Sequence, residues 1–193
     1  MRGASVRTAV LVALLNGCGD DDAPKELVGT PSGSCAATVA TYQPSSAGHV
    51  SECSSIDYPT APPVSGDHYP VWAAYGSYDY EIPAGYLVHN LEHGAIVLSY
   101  DCPDGCAEEV SAARAHIEGL PTDPRCSADV SHQVVLAPSN SLGSRWAGAA
   151  WGFALRAECF DADAFRTFYE EHVGRGPEDL CSQGSVIPPN ACK

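Results

Sequence analysis

The sequence predicts an α+β domain: a small, mainly antiparallel sheet, two or three helices, and a long aromatic-rich N-terminal loop region. Two observations carry this prediction. Residues 49–88 are repeatedly interrupted by Pro and Gly, whereas the later sequence contains short apolar runs and two stretches with helical spacing. These later elements follow the order strand, helix, strand, strand, helix, which is typical of an α+β domain.

The regular elements are predicted as follows. Residues 95–100 form an apolar run typical of a buried strand, and 108–120 carry apolar side chains at helical spacing. Residues 132–137 predict a second strand, and 149–157 predict a third because large side chains alternate there with smaller ones. Asp161 is expected to cap a last helix containing Ala164, Phe165, Phe168 and His172.

The loop region 49–88 is expected to be packed by its own side chains. Its density of aromatic residues argues against disorder, and long loops in compact domains are commonly functional. The aromatic residues are Tyr58, Tyr69, Trp72, Tyr75, Tyr78, Tyr80 and Tyr86.

The N-terminus predicts export. Residues 1–18 have a positively charged start and an apolar stretch too short to span a bilayer, which is typical of a signal peptide. Leu15-Asn16-Gly17-Cys18 resembles a bacterial lipobox with Cys18 as the lipidated residue, although Asn16 departs from the usual small residue. An ordinary secretory signal is the alternative, and either signal exports the chain.

The cysteine count agrees with export. Of 9 Cys, assigning Cys18 to a lipid leaves eight, which suits up to four disulfides of open connectivity in an oxidising compartment. Cys102 and Cys106 have one residue too many between them for a redox Cys-x-x-Cys motif, so a structural disulfide is favoured over redox catalysis. Cys35 is expected to attach the preceding segment to the domain.

Three regions follow from these features. Residues 1–18 are the predicted lipoprotein signal peptide and lipobox, 19–48 a flexible tether, and 49–193 a single disulfide-stabilised α+β domain. Without its signal the chain has 8 Lys plus Arg against 24 Asp plus Glu, a net charge of −16. Such a surface repels nucleic acid and anionic headgroups, and it suits the solubility of an exported protein. The expected partners are a membrane, contacted through the lipid anchor on Cys18, and a metal ion.

Four histidines form the candidate metal site. His89 and His93 are four residues apart, so both imidazoles fall on one face of a helical turn and can reach one ion. His68 follows Gly66, whose conformational freedom allows a tight turn to aim the imidazole inward. His49, at the start of the domain, is expected to close the set.

An imidazole-dominated site suits Zn²⁺ or Cu²⁺, and the sequence does not choose between them. The only Met is Met1, which leaves with the signal, and oxidised cysteines offer no thiolate. The remaining histidines, His116, His132 and His172, are scattered through predicted regular elements and are expected to be structural or to lie at the surface.

Glu92 lies next to His93 but about 100° away around a helix. We therefore expect it to accept a hydrogen bond from a ligating imidazole or to act as a base on bound water, and to be a ligand only if the turn is irregular.

Three alternatives to a metal-binding module remain open. His89 and His93 can be buried, hydrogen-bonded structural residues. A zinc-dependent hydrolase with Glu92 as its base is the second alternative, although the spacing departs from the His-Glu-x-x-His motif of metalloproteases. A domain that binds a partner through the aromatic loop 69–86 is the third. The binding module is favoured because no second catalytic group occupies a motif-defined position.

The chain also resembles a known family. The elements are His49-Val50, Pro62-Pro63-Val64-Ser65-Gly66-Asp67-His68, Tyr75-Gly76-Ser77-Tyr78 and Leu87-Val88-His89-Asn90-Leu91-Glu92-His93-Gly94. Together they resemble the bacterial domain of unknown function 3105, over about residues 48–157. The resemblance implies an exported or membrane-tethered protein and supplies no reaction.

Overall fold

The structure, a computed structural model, describes residues 26–28, 35–45 and 47–193. The predicted signal peptide, its lipidation residue Cys18 and much of the predicted tether lie outside the described residues. Within the described part of the chain, no helix is long and apolar enough to cross a membrane.

The described residues form three helices and seven strands, which confirms the α+β class. In chain order they are β1 (Glu26–Val28), β2 (Thr38–Thr41), β3 (Gly76–Ser77), α1 (Ala84–Glu92), β4 (Ile96–Tyr100), α2 (Ala107–Glu118), β5 (Val134–Pro138), β6 (Trp146–Ala150), β7 (Phe153–Ala157) and α3 (Ala162–His172). Asp161 caps α3 as expected, because its side chain accepts hydrogen bonds from the backbone N–H groups of Asp163 and Ala164.

All seven strands belong to one sheet in the order β1-β2-β7-β6-β4-β5-β3. Four neighbouring pairs are antiparallel: β1–β2, β2–β7, β7–β6 and β6–β4. The other two pairs, β4–β5 and β5–β3, are parallel. The prediction of a mainly antiparallel sheet is therefore confirmed.

Two hydrophobic cores lie on opposite faces of this sheet. In β4, Ile96 and Leu98 join the core that includes residues of α2 and α3, whereas Val97 joins the core formed with the loop region. Because both faces of β4 are covered, its sequence is continuously apolar instead of alternating. Helix α1 begins at Ala84, inside the segment predicted as loop, so buried Tyr86 belongs to the helix. The loop residues Tyr69 and Tyr78 are buried, as their aromatic density predicts, and they pack against the sheet as well as against each other's segment.

The prediction of one strand over 149–157 is wrong: this stretch contains the turn of a hairpin. Strand β6 ends at Ala150, Trp151 and Gly152 form the turn, and β7 begins at Phe153. Gly152 has a φ of +79°, a left-handed conformation that glycine adopts without steric cost. The apolar residues continue through the turn, so the sequence pattern does not mark it.

The sheet also extends into the segment assigned above to the tether. Strand β2 pairs with β7 along its length, and β1 pairs with β2. The described fold therefore begins before residue 49. The expected attachment by Cys35 is present as a disulfide to Cys159.

Eight cysteines form four disulfides, as their even number predicts. The pairs are Cys35–Cys159, Cys53–Cys192, Cys102–Cys106 and Cys126–Cys181. No thiolate from these eight residues is available to bind a metal.

Candidate metal centre

Helix α1 and the turn after it position the first two histidines. His89 lies in the last turn of α1 and His93 immediately follows the helix. Gly94 then turns the chain into β4 with a φ of +82°, a left-handed conformation that glycine adopts without steric cost. The two imidazoles lie side by side, with their Nε2 atoms 3.2 Å apart.

A short parallel bridge in the loop region positions the other two histidines. His49 pairs with His68, and Val50 N–H donates to the His68 carbonyl over 2.9 Å. Gly66 has a φ of +121°, and the His68 side chain is turned inward with only 1% of its surface exposed. His49 is the open side of the cluster, with 55% of its side chain exposed.

Three of the four predicted histidines converge. The ring centroids of His49, His68 and His89 lie 4.8–4.9 Å from one another. One donor atom from each of them and one carboxylate oxygen of Glu92 all lie within 4.8 Å of one another. We call these four residues the primary cluster.

Glu92 lies against the imidazoles of His49 and His68, which its offset of about 100° from His93 does not by itself predict. Its Oε2 atom is 2.9 Å from His68 Nε2 and 3.9 Å from His49 Nε2, and its side chain is only 13% exposed. Glu92 follows His89 by three residues, about 60° around the helix, so the two side chains share a flank of α1. The His49–His68 bridge lies on that same flank of α1, so the carboxylate meets these two imidazoles.

His93 belongs to a neighbouring set of donors. Besides its contact with His89, its Nε2 atom lies 3.4 Å from Oε2 of Glu178. Glu92, His93 and Glu178 form a second group whose donor atoms lie within 4.8 Å of one another. Sequence reasoning missed Glu178 because it lies far along the chain in a segment without a recognisable motif.

Hydrogen bonds to the loop backbone fix the protonation of two imidazoles. His68 Nδ1 lies 2.9 Å from the Gly66 carbonyl, and His89 Nδ1 lies 2.5 Å from the Tyr69 carbonyl. Because a carbonyl only accepts hydrogen bonds, each Nδ1 carries a proton. The Nε2 atoms therefore point into the cluster, as the ligating nitrogens of metal-bound histidines do.

The contact between His68 and Glu92 requires a cation. His68 Nε2 is buried and has no hydrogen-bond partner among the described residues, yet a Glu92 carboxylate oxygen lies 2.9 Å away. When His68 is neutral, both atoms present lone pairs to each other. A proton or a metal ion between them removes this repulsion.

Burial keeps two of the histidines neutral. It lowers the pKa of His89 to about 4, although the hydrogen bond to the Tyr69 carbonyl raises that pKa. It also lowers the pKa of His93, against the raising effect of Glu178. Both imidazoles are therefore uncharged near pH 7, which is the form that binds a metal.

Trp72 and Asn90 hold α1 against the loop. The indole of Trp72 packs edge-on against His93, with ring centroids 4.5 Å apart. The buried Asn90 side chain accepts from Ala73 N–H over 3.1 Å and donates to the Ala73 carbonyl over 2.8 Å. Neither role was predicted from the sequence, although Asn90 lies inside the His-x₃-His motif.

The other three histidines lie outside the cluster. His132 Nε2 is 2.7 Å from the Leu120 carbonyl, and His116 packs against Phe160 and Phe165. His172 stacks on Phe153.

The fold and the cluster together define an α+β domain with a partly buried group of histidines and carboxylates. The model of the family described as "Protein of unknown function (DUF3105)" matches residues 49–184. The chain therefore belongs to this family, which confirms the resemblance found in its sequence. The match includes the whole primary cluster, His93 and Glu178. No curated protein and no solved structure matches the chain.

Proposed function

We propose that this chain is an exported protein, anchored to a membrane by a lipid on Cys18, that binds a transition-metal ion through its histidine cluster. The ion is Zn²⁺ or Cu²⁺, and the ligands are His49, His68, His89 and Glu92. His93, the fourth histidine predicted from the sequence, lies beside this set. The observation that carries the proposal is the convergence of four donor atoms within 4.8 Å.

The spacing of these donors supports metal binding. Two ligands of a tetrahedral ion, each bonded at 2.0–2.1 Å, are about 3.3 Å apart. Two measured donor distances in the primary cluster, His68 Nε2–Glu92 Oε2 at 2.9 Å and His49 Nε2–Glu92 Oε2 at 3.9 Å, lie on either side of this value. Small side-chain movements would therefore bring the donors to bonding positions.

The donor types support the same ions. Imidazole nitrogens and a carboxylate oxygen suit Zn²⁺ and Cu²⁺, whereas the eight described cysteines are all in disulfides. The proximity of Glu92 to His68 favours a ligand role for this carboxylate over the role of base in a hydrolase. We therefore propose binding, for sequestration or delivery of the ion, as the function.

In the alternative explanation, His68 Nε2 carries a proton that pairs with the carboxylate of Glu92, and no metal binds. Metal titration separates the two accounts. The chain, purified without a His tag, is dialysed against Zn²⁺ and, in a separate experiment, against Cu²⁺. We expect at least one equivalent of one of these ions to bind per chain, and binding of neither would refute the proposal.

His49→Ala is the most informative variant, because His49 is 55% exposed and its replacement leaves the buried packing intact. We expect it to weaken binding of the first ion at least about tenfold, or about 1.4 kcal/mol. His132→Ala is the matched control, since His132 bonds to the Leu120 carbonyl outside the cluster. Equal affinities for His49→Ala and the control would exclude His49 as a ligand.

A further inference from the structure

A second group of donors adjoins the primary cluster. Glu92, His93 and Glu178 each offer a donor atom within 4.8 Å of the other two. The His93 Nε2 to Glu178 Oε2 distance of 3.4 Å is close to the separation of about 3.3 Å between ligands of one tetrahedral ion. Because His93 is 98% buried, the surrounding side chains hold its imidazole in this position.

We propose that the centre binds two divalent cations, the second held by His93, Glu178 and the shared carboxylate of Glu92. This inference rests on the proposed metal binding at the primary cluster. A carboxylate has two oxygens and can therefore bind one ion through each. Protein sites with two metals hold their ions about 3.5–4 Å apart, a distance that a shared side chain can span.

The segment 174–181 brings Glu178 to the site and holds its backbone there. Gly174 N–H donates to the Gly94 carbonyl over 2.8 Å, and Glu178 N–H donates to the Glu92 carbonyl over 2.9 Å. The backbone of this segment therefore lies directly on the end of α1.

Two further contacts fix the same segment. The fully buried Gln133 donates to the carbonyls of His93 and Leu180, each over 3.1 Å, and so links the two parts of the second group. The disulfide Cys126–Cys181 closes the end of the segment. Glu178 is thus exposed but anchored through its neighbours, which lowers the entropic cost of binding an ion.

The second position is more open than the first. The Glu178 side chain is 61% exposed, whereas His68 in the primary cluster is 1% exposed. Three protein ligands and a solvent-facing side leave room for water at a fourth coordination position, as in catalytic zinc sites. We therefore expect the second ion to bind more weakly and exchange faster than the first.

Equilibrium dialysis of the chain, purified without a His tag, against Zn²⁺ and separately against Cu²⁺ tests the inference. We expect two equivalents of one of these ions per chain. Glu178→Gln is expected to reduce this number to one over the same concentration range, or to weaken the second step at least about tenfold. Because Glu178 is exposed and Gln can keep its backbone hydrogen bond, this variant should fold normally.

Glu170→Gln is the matched control, since it removes one exposed negative charge of α3 from a residue that belongs to neither donor group. It is expected to keep two equivalents. A single equivalent in the unaltered chain would overturn the second site and leave the primary cluster standing, whereas no binding would overturn both. Two equivalents that persist in Glu178→Gln would refute the assigned ligands.

Discussion

Whether each histidine of the cluster can bind an ion depends on which of its two ring nitrogens carries the proton. The carbonyls of Gly66 and Tyr69 accept hydrogen bonds from the Nδ1–H groups of His68 and His89, and so leave both Nε2 atoms free to bind an ion. Both carbonyls belong to the loop region. A region with little regular structure therefore orients two ligands that come from different parts of the chain.

Gly94 gives a prediction at the same scale. Its φ is +82°, and a Cβ atom there would lie only 2.7 Å from the Gly174 Cα atom. We expect Gly94→Ala to lower the free energy of unfolding by about 3 kcal/mol, because backbone strain and steric overlap add. Urea unfolding of the oxidised protein measures this loss.

Gly105→Ala is the control for that measurement. Gly105 has nearly the same φ, +85°, but beyond its two chain neighbours no residue comes within 4 Å of the position of its added Cβ. It should lose only about 1 kcal/mol, from backbone strain alone. Equal losses in the two variants would contradict the close packing between Gly94 and the segment 174–181.

At the scale of elements, helix α1 shows what the sequence could predict. The four-residue spacing of His89 and His93 placed them side by side, and their Nε2 atoms are indeed adjacent. The same periodicity turned Glu92 about 100° from His93 but only about 60° from His89, three residues earlier. It could not show that the His49–His68 bridge covers that flank, because the bridge joins segments distant in sequence.

The sheet shows the same limit. The apolar runs of β4 and β5 were found because burial on both faces leaves a strong local pattern. Strands β1 and β3 have three and two residues, too few to show any period. Glu178 was missed for a related reason: a disulfide and backbone hydrogen bonds place it, and neither leaves a local pattern.

At the scale of the whole molecule, disulfides join the parts that form the site. Cys53–Cys192 ties the loop next to His49 to the C-terminal end of the chain, and Cys126–Cys181 holds the segment that carries Glu178. Four disulfides indicate an oxidising environment, which agrees with the proposed export.

The proposed anchor gives a prediction at this scale. Cys18→Ser removes the thiol that would carry the lipid, and we expect the variant to leave the membrane fraction after expression in a bacterium that processes lipoproteins. Fractionation followed by immunoblotting measures the distribution. Cys35→Ser, which removes a different cysteine, should leave any folded chain with the membrane. A Cys18→Ser chain that stays in the membrane fraction would contradict lipidation at this residue.

The most direct test of the central claim, metal binding by the histidine cluster, is X-ray absorption at the metal edge of the chain loaded with one equivalent of Zn²⁺ or Cu²⁺. We expect nitrogen and oxygen neighbours at about 2.0–2.1 Å from the metal, with the outer scattering of about three imidazoles. A sulfur neighbour at about 2.3 Å, or a spectrum of the hydrated ion without imidazole scattering, would contradict it.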